Sequence, residues 1–386
     1  MTLQEDHHFC QNCILPDGFL HINLDNEGIC DICRNPFFET KNWRKVQITE
    51  EMKKEALNDW KATLDKIHGH TSIGKYDCIL GYSGGKDSTA LLNMLINELG
   101  LNPLAITIDT GLMTKVAKQN IKKTLARLDY QDHHLMIEDG AATFSKLYRF
   151  LFLQHNSNEL ILTGTVCDYC SDLIHSIMVK EALKRDIPII ILGYSSDQIK
   201  RYFYEIPSKE IRSEWDPVFI HNAPFTSEDQ QWYLTDRERN KSHLPRILLP
   251  YHVLDYNENM IIKKVTSAGL IDKGKTDPVL TNCHVVKAAL MYDLHRYGGL
   301  SYALQYAELV RQEKKEKRSR TRKKWLRLYK GISRALLEGT FAKEEINKFF
   351  SHVNVSKNEL LENIKNHLEE DPNKDVIVKN LQKIME

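Results

Sequence analysis

The sequence predicts a doubly wound α/β domain, a parallel sheet with helices on both faces, and three observations carry that prediction. Short apolar runs alternate with helix-patterned runs between residues 76 and 192. A glycine-rich turn, residues 81–89 (GYSGGKDST), falls where the first apolar run gives way to the first helical one. The last run, residues 187–192 (IPIIIL), is almost wholly apolar, as a strand covered on both faces must be.

Taken in order, residues 76–82 predict the first strand, 88–99 a helix rich in Leu, Ile and Met, and 103–109 (PLAITID) the second strand. A helix over 115–128, a strand over 133–137, a helix over 171–184 and the strand over 187–192 complete the alternation. Upstream, Met52, Leu57, Trp60, Leu64 and Ile67 recur at helical spacing, until His68-Gly69-His70 and Gly74 break the pattern. Downstream, residues 201–250 are aromatic and charged, are interrupted by Pro207, Pro217, Pro224 and Pro245, and predict no clear element. From residue 257 the chain reads helical and ends in a two-helix tail. At 386 residues it is too long for one core. The expected division is a metal-bound module over 1–40, a helical linker over 41–75, the nucleotide-type domain over 76–200, a substrate or cluster region over 201–300 and a helical region over 301–386.

A 42% hydrophobic and 27% charged composition is that of an ordinary globular protein, and a net charge of +1 gives no overall attraction to nucleic acid. No apolar run approaches the roughly 18 residues of a membrane span. The first ten residues carry Glu5, Asp6, His7 and His8 without an apolar stretch, so no secretory signal is expected. The expected location is the cytoplasm, where thiols stay reduced and patterned cysteines favour metal over disulfides.

In the turn, Gly84 and Gly85 let the backbone approach phosphate oxygens, and the following helix offers free N–H groups and a positive dipole end. Ser83 and Ser88 add hydroxyls, Lys86 a point charge. The spacing is not that of the Walker loop. It matches the SGGxDS motif of the PP-loop ATPases, the ATP-pyrophosphatase superfamily with the adenine nucleotide alpha hydrolase-like fold. That resemblance implies an adenylating transferase or ligase: ATP is cleaved between its α and β phosphates, a substrate oxygen takes the AMP, and pyrophosphate leaves with Mg²⁺, which Asp87 helps to hold. Asp109, at the end of the second strand, is either a nucleotide contact or a turn aspartate. Gly193 and Asp197, after the buried strand, are candidate nucleotide contacts on the same edge.

Cys10-x2-Cys13 and Cys30-x2-Cys33 enclose sixteen residues, a spacing that supplies four thiolates for a structural Zn²⁺. The surrounding CQNCILPDGF…NEGICDIC resembles the zinc ribbon of bacterial N-acetyl sugar amidotransferase-like proteins, which also carry a PP-loop. Cys167 and Cys170 form a third CxxC, read as lying just before a helix, with Cys283 far downstream. This set is similar to that of PP-loop tRNA thiotransferases. In those the resemblance implies three thiolates on a [4Fe–4S] cluster with one iron open for sulfide. The alternatives are a second zinc site with His284, a redox pair, or buried small hydrophobes. Cys78, inside the first strand, reads as core.

Two functions follow. One is a sulfur transferase that adenylates a carbonyl oxygen of a base, a tRNA or a small metabolite and replaces it with sulfur. The other is an amidotransferase acting on an N-acetylated nucleotide sugar in surface polysaccharide synthesis. Expected partners are a small-molecule or tRNA substrate, a sulfur donor or a glutaminase, and a second copy in a homodimer; no membrane is expected. Residues 311–330 carry eleven Lys and Arg, a run that either grips RNA phosphates or forms a solvated helix face.

Overall fold

Six strands form one sheet in the computed structural model, which describes residues 8–38, 46–69, 75–154, 163–195, 202–213, 225–281 and 283–386. They are β1 (Cys78–Gly81), β2 (Pro103–Ile108), β3 (His134–Ile137), β4 (Ile189–Leu192), β5 (Glu205–Ile206) and β6 (Arg246–Leu248), in spatial order β3-β2-β1-β4-β6-β5. All neighbours are parallel except β5, which closes the edge antiparallel to β6. Helices of eight residues or more, among the described residues, are α1 (Glu50–Gly69), α2 (Lys86–Asn93), α3 (Lys115–Leu128), α4 (Ala141–Arg149), α5 (Thr163–Arg185) and α6 (Glu258–Ser267). Towards the C-terminus follow α7 (His284–Tyr297), α8 (Tyr302–Gln312), α9 (Lys315–Leu337), α10 (Lys343–Val353), α11 (Lys357–Glu369) and α12 (Lys374–Met385). None is long and apolar enough to cross a membrane.

The chain divides into two compact units, one of Met1–Lys45, Tyr148–Asp168 and His284–Glu386, the other of Val46–Leu147 and Tyr169–Cys283. The second holds the sheet. Its core is drawn from alternate strand positions, Cys78, Leu80, Ala105, Ile189, Ile191 and Leu248, packed against Leu91, Leu95, Ile121, Leu125 and Val265. Cys78 is core, as its strand position predicts, and burial pushes its thiol up. Ala56 and Trp60 of α1 join that core, and Arg246 of β6 bridges Asp59 of α1 at 2.8 Å and Glu205 of β5 at 2.5 Å. The 115–128 helix forms with those bounds, capped by the Thr114 hydroxyl accepting from the Ala117 N–H and stopped by Asp129 at φ 52°.

Three expectations change. The helix predicted over 171–184 starts at Thr163, so Cys167 and Cys170 lie inside α5 rather than before it. Val166, Cys170, Leu173 and Ile177 are all buried, at helical spacing, and carry the apolar stripe back past the polar Asp168 and Asp172. The stretch that predicted no element supplies β5 and β6, each too short for a pattern and fixed by pairing with the sheet. The tail holds three helices, not two: Asn354 at φ 51° and the capping box of Ser356 with Glu359 divide α10 from α11 before α12 begins.

In the first unit α7 is buried along almost its whole length and packs against α9, α10, α11 and α12. The N-terminal module has little core of its own and leans on these helices. The Phe9 ring meets Tyr329 edge-on at 5.8 Å, and the Asn380 amide donates to the Asp17 carbonyl at 3.0 Å. Phe19 packs so close to Gly299 that a Cβ there would lie 2.8 Å from its ring.

Candidate active site and metal centre

The strand order reverses between β1 and β4, and at such a switch point the loops leaving the two strands diverge and open a crevice at the carboxyl edge. The loop after β1 is the predicted Ser83–Ser88 segment, and the residue after β4 is Gly193. A Cβ on Gly193 would lie 3.2 Å from the backbone N and Cα of Ser88, so the two loops touch there. Gly84 adopts φ 74° and approaches α3 so closely that a Cβ would lie 2.6 Å from the Ala117 carbonyl oxygen. Gly84→Ala is therefore expected to destabilise the protein by about 3 kcal/mol, the sum of a left-handed residue and a backbone clash. Urea unfolding measures this, and wild-type stability would contradict the geometry.

The hydroxyls of Ser83 and Ser88 lie 3.1 Å apart, and each also touches loop backbone: the Gly85 N–H donates to Ser83 at 3.4 Å and the Ser83 N–H to Ser88 at 3.3 Å. The result is a concave turn running into the N-terminus of α2, whose first N–H groups have no partner within the helix. Such a turn can receive an oxyanion. The turn is pinned from outside by Asn120, whose amide donates to the Gly84 carbonyl at 3.0 Å and to the Lys275 carbonyl at 3.1 Å. Thr107 donates to the Tyr82 carbonyl at 2.6 Å, so its hydroxyl accepts from His134 Nε2 at 2.8 Å, and burial lowers the basicity of that imidazole.

Lys86 does not point freely into the crevice. It is buried, 2.8 Å from Asp87 and 3.4 Å from Glu258 of α6. Burial alone would lower its basicity, but the two carboxylates more than offset this and hold it above the ordinary lysine value. Asp87 in turn accepts from the Tyr256 hydroxyl at 3.0 Å, while Tyr251 donates to its backbone carbonyl at 3.1 Å. Tyr251, Tyr256, Glu258, Asn120 and His134 are contributors that no motif announces; the only local sign is Asn257, a predicted helix start that brings Tyr256 and Glu258 to the loop.

Asp109 is buried, accepts from the Gly111 N–H at 2.9 Å and pairs with Lys118, whose basicity that pairing raises. Its two oxygens are thus engaged in a turn and an ion pair. Asp197 lies outside the described residues. Cys167 and Cys170 are three residues apart on α5, half-buried and buried, and Cys283 is half-buried just before α7. Cys167 belongs to the first unit, Cys170 and Cys283 to the second. The His284 Nδ1 is buried without a hydrogen-bond partner, and burial lowers the basicity of that ring.

The sulfurs of Cys10, Cys13, Cys30 and Cys33 all lie within 4.8 Å of one another, with Cys10–Cys33 at 3.8 Å and Cys13–Cys30 at 3.7 Å. A tetrahedral ion with metal–sulfur bonds of about 2.3 Å spaces its sulfurs about 3.8 Å apart, so the set fits such an ion. Hydrogen bonds from Cys13, Cys30 and Cys33 hold the Cys10 thiol far below its ordinary range, whereas burial pushes Cys13 well above it. A divalent cation binds such thiols as thiolates and displaces their protons. The N–H groups of Cys13 and Cys30 point at the Cys10 sulfur at 3.4 and 3.3 Å, and Arg322 donates to the Cys10 carbonyl at 2.9 Å.

No protein-family model matches the sequence. An uncharacterized protein of Methanocaldococcus jannaschii is 34% identical over 104 residues, which are 26% of this chain and 31% of that protein, so the match spans about a third of that relative. Among solved structures, the U34-tRNA thiolase NcsA from Methanococcus maripaludis with its [4Fe-4S] cluster is similar over 76% of this chain and 87% of that one, at 12% identity and a TM-score of 0.35.

Proposed function

We propose that the chain is an ATP-dependent sulfur transferase: it adenylates a carbonyl oxygen of a base, a tRNA or a small metabolite, releases pyrophosphate, and replaces the oxygen with sulfur. The observation that carries the ATP part is the Ser83–Ser88 turn, placed between β1 and α2 at the switch point of a parallel sheet. Its hydroxyls, the N–H groups of the first turn of α2 and the dipole of that helix favour the negative oxygens of a triphosphate. Asp87, its carboxylate oriented by Tyr256, is the group to meet Mg²⁺. When phosphate charge and metal arrive, Lys86 can exchange part of its pairing with Asp87 and Glu258 for phosphate oxygens. It would then stabilise charge as pyrophosphate departs.

The sulfur part rests on Cys167, Cys170 and Cys283. Two thiols three residues apart on one helix face the same way and suit a shared ligand group. A [4Fe–4S] cluster held by the three would supply a sulfide nucleophile. The Cys10–Cys33 set is proposed as a structural zinc site. That set also favours the second reading, an amidotransferase on an N-acetylated nucleotide sugar, because of the sequence likeness of its ribbon.

Anaerobic purification separates the two. A sulfur transferase is expected to be brown, with iron and sulfide beyond its one zinc, and Cys283→Ala is expected to lose the colour while still binding ATP. Colourless protein active with ammonia, or full activity in Cys283→Ala, would remove the sulfur reading.

A further inference from the structure

The basic run over α9 divides by face. Arg318 and Arg322 turn inward, to the Arg311 and Glu313 carbonyls and to the Cys10 carbonyl, while Tyr329, Ser333 and Leu336 are buried on the same side. Lys317, Arg320, Lys324 and Arg327 recur at intervals of three and four residues on the opposite side, and all four are exposed. No Asp or Glu occurs between Glu316 and Glu338 to neutralise them. The four span about 15 Å of helix axis. An ordinary solvated face mixes signs; this one does not.

A groove of about 500 Å³ opens at the end of the stripe, lined by Lys324, Arg327, Leu328, Gly331, Ile332 and Phe341. Gly331 lines it from the interior of a 23-residue helix, where glycine is the least favourable residue but proline. Nothing lies within 4 Å of where its Cβ would be, so no packing within the protein requires the missing side chain. Leu328 is 41% exposed beside it.

We propose that this face of α9 binds unpaired RNA, the four cations meeting successive phosphates and the groove beside Gly331 accepting an unstacked base against Phe341. Alternating charge and apolar surface suits a single strand, whose bases are free to turn towards the protein. Folded RNA offers unpaired loops and ends of this kind, whereas a duplex would present phosphates to the stripe but leave the groove empty. A bilayer surface would need a long outward apolar face; on α9 the outward apolar surface is confined to Leu328 and the groove beside it, while Tyr329 and Leu336 are buried. The surface lies wholly in the unit without the sheet, so the inference does not rest on the reaction proposed at the Ser83–Ser88 loop.

The test is fluorescence anisotropy of the full chain with a labelled unpaired RNA 20-mer over a range of salt. The expected logarithmic slope of affinity against salt is about −3, four phosphates at roughly 0.7 each. Lys324→Ala with Arg327→Ala is expected to weaken binding about tenfold and to reduce the slope by about 1.4. Gly331→Leu fills the groove and leaves the charge unchanged. It is expected to weaken binding about tenfold at unaltered slope, without lowering the melting temperature. No binding of unpaired RNA at low salt overturns the proposal. So does equal or tighter binding of duplex DNA or of anionic phospholipid vesicles, or wild-type affinity in both variants.

Discussion

Asp87→Ala is expected to lower substrate-dependent pyrophosphate release about a hundred- to a thousandfold, the range seen when one preorganised group at a developing charge is removed. The side chain is 21% exposed. Its loss forfeits the hydrogen bond from Tyr256 and the charged one from buried Lys86, which keeps only Glu258 as a partner, so stability should fall by about 2–3 kcal/mol. Lys86→Ala is expected to be as damaging to the rate, but for a different reason: it leaves Asp87 and Glu258 facing each other without a cation. Tyr256→Phe gives the graded control. It keeps the carboxylate but frees it to rotate, and should weaken Mg²⁺-dependent ATP binding less than Asp87→Ala does. Calorimetric ATP titration with and without Mg²⁺, together with AMP formation, reads all three. Wild-type AMP formation in Asp87→Ala and Lys86→Ala would end the assignment of this loop to ATP.

Cys13→Ser should have the largest effect on stability. The residue is completely buried and sits 3.7 Å from Cys30. Losing one ligand of a closed site removes binding free energy that is also folding free energy, and exposes the remaining thiols to one another's charge. A loss of about 4 kcal/mol would lower the melting transition of a unit this size by roughly 8–16 °C. The zinc content should fall by one ion per chain. Because Phe9 and Asp17 anchor the module on α9 and α12, and Phe19 packs on the turn after α7, the damage should reach those helices, and helical signal should be lost in the same transition. A strong chelator should reproduce the effect in the wild type. Unchanged metal content and an unchanged melting temperature would show that the four thiols hold no structural ion.

Apolar patterning made the sheet's first four strands and α3 legible, the strands as short, largely apolar runs alternating with helices and α3 as a stripe at helical spacing. The turn at Ser83–Ser88 and the thiols of Cys10, Cys13, Cys30 and Cys33 were legible for another reason: a tight turn and a tetrahedral ion demand fixed residue types at fixed short spacings. The N-terminal start of α5 was not, since polar Asp168 and Asp172 interrupt a stripe whose buried side is settled by packing alone.

What the sequence by itself determined, then, is local: a phosphate-type turn between a strand and a helix, and two cysteine knuckles. Only tertiary structure decided that Tyr256 and Glu258, some 170 residues downstream, hold Asp87 and Lys86. It also decided that Gly193 abuts Ser88, and that the basic run is split between an inner and an outer face. The physical reason is range. Turn chemistry acts over a few residues, whereas a buried charge accepts whichever partner the packed elements bring within hydrogen-bond reach, and no spacing along the chain encodes that meeting.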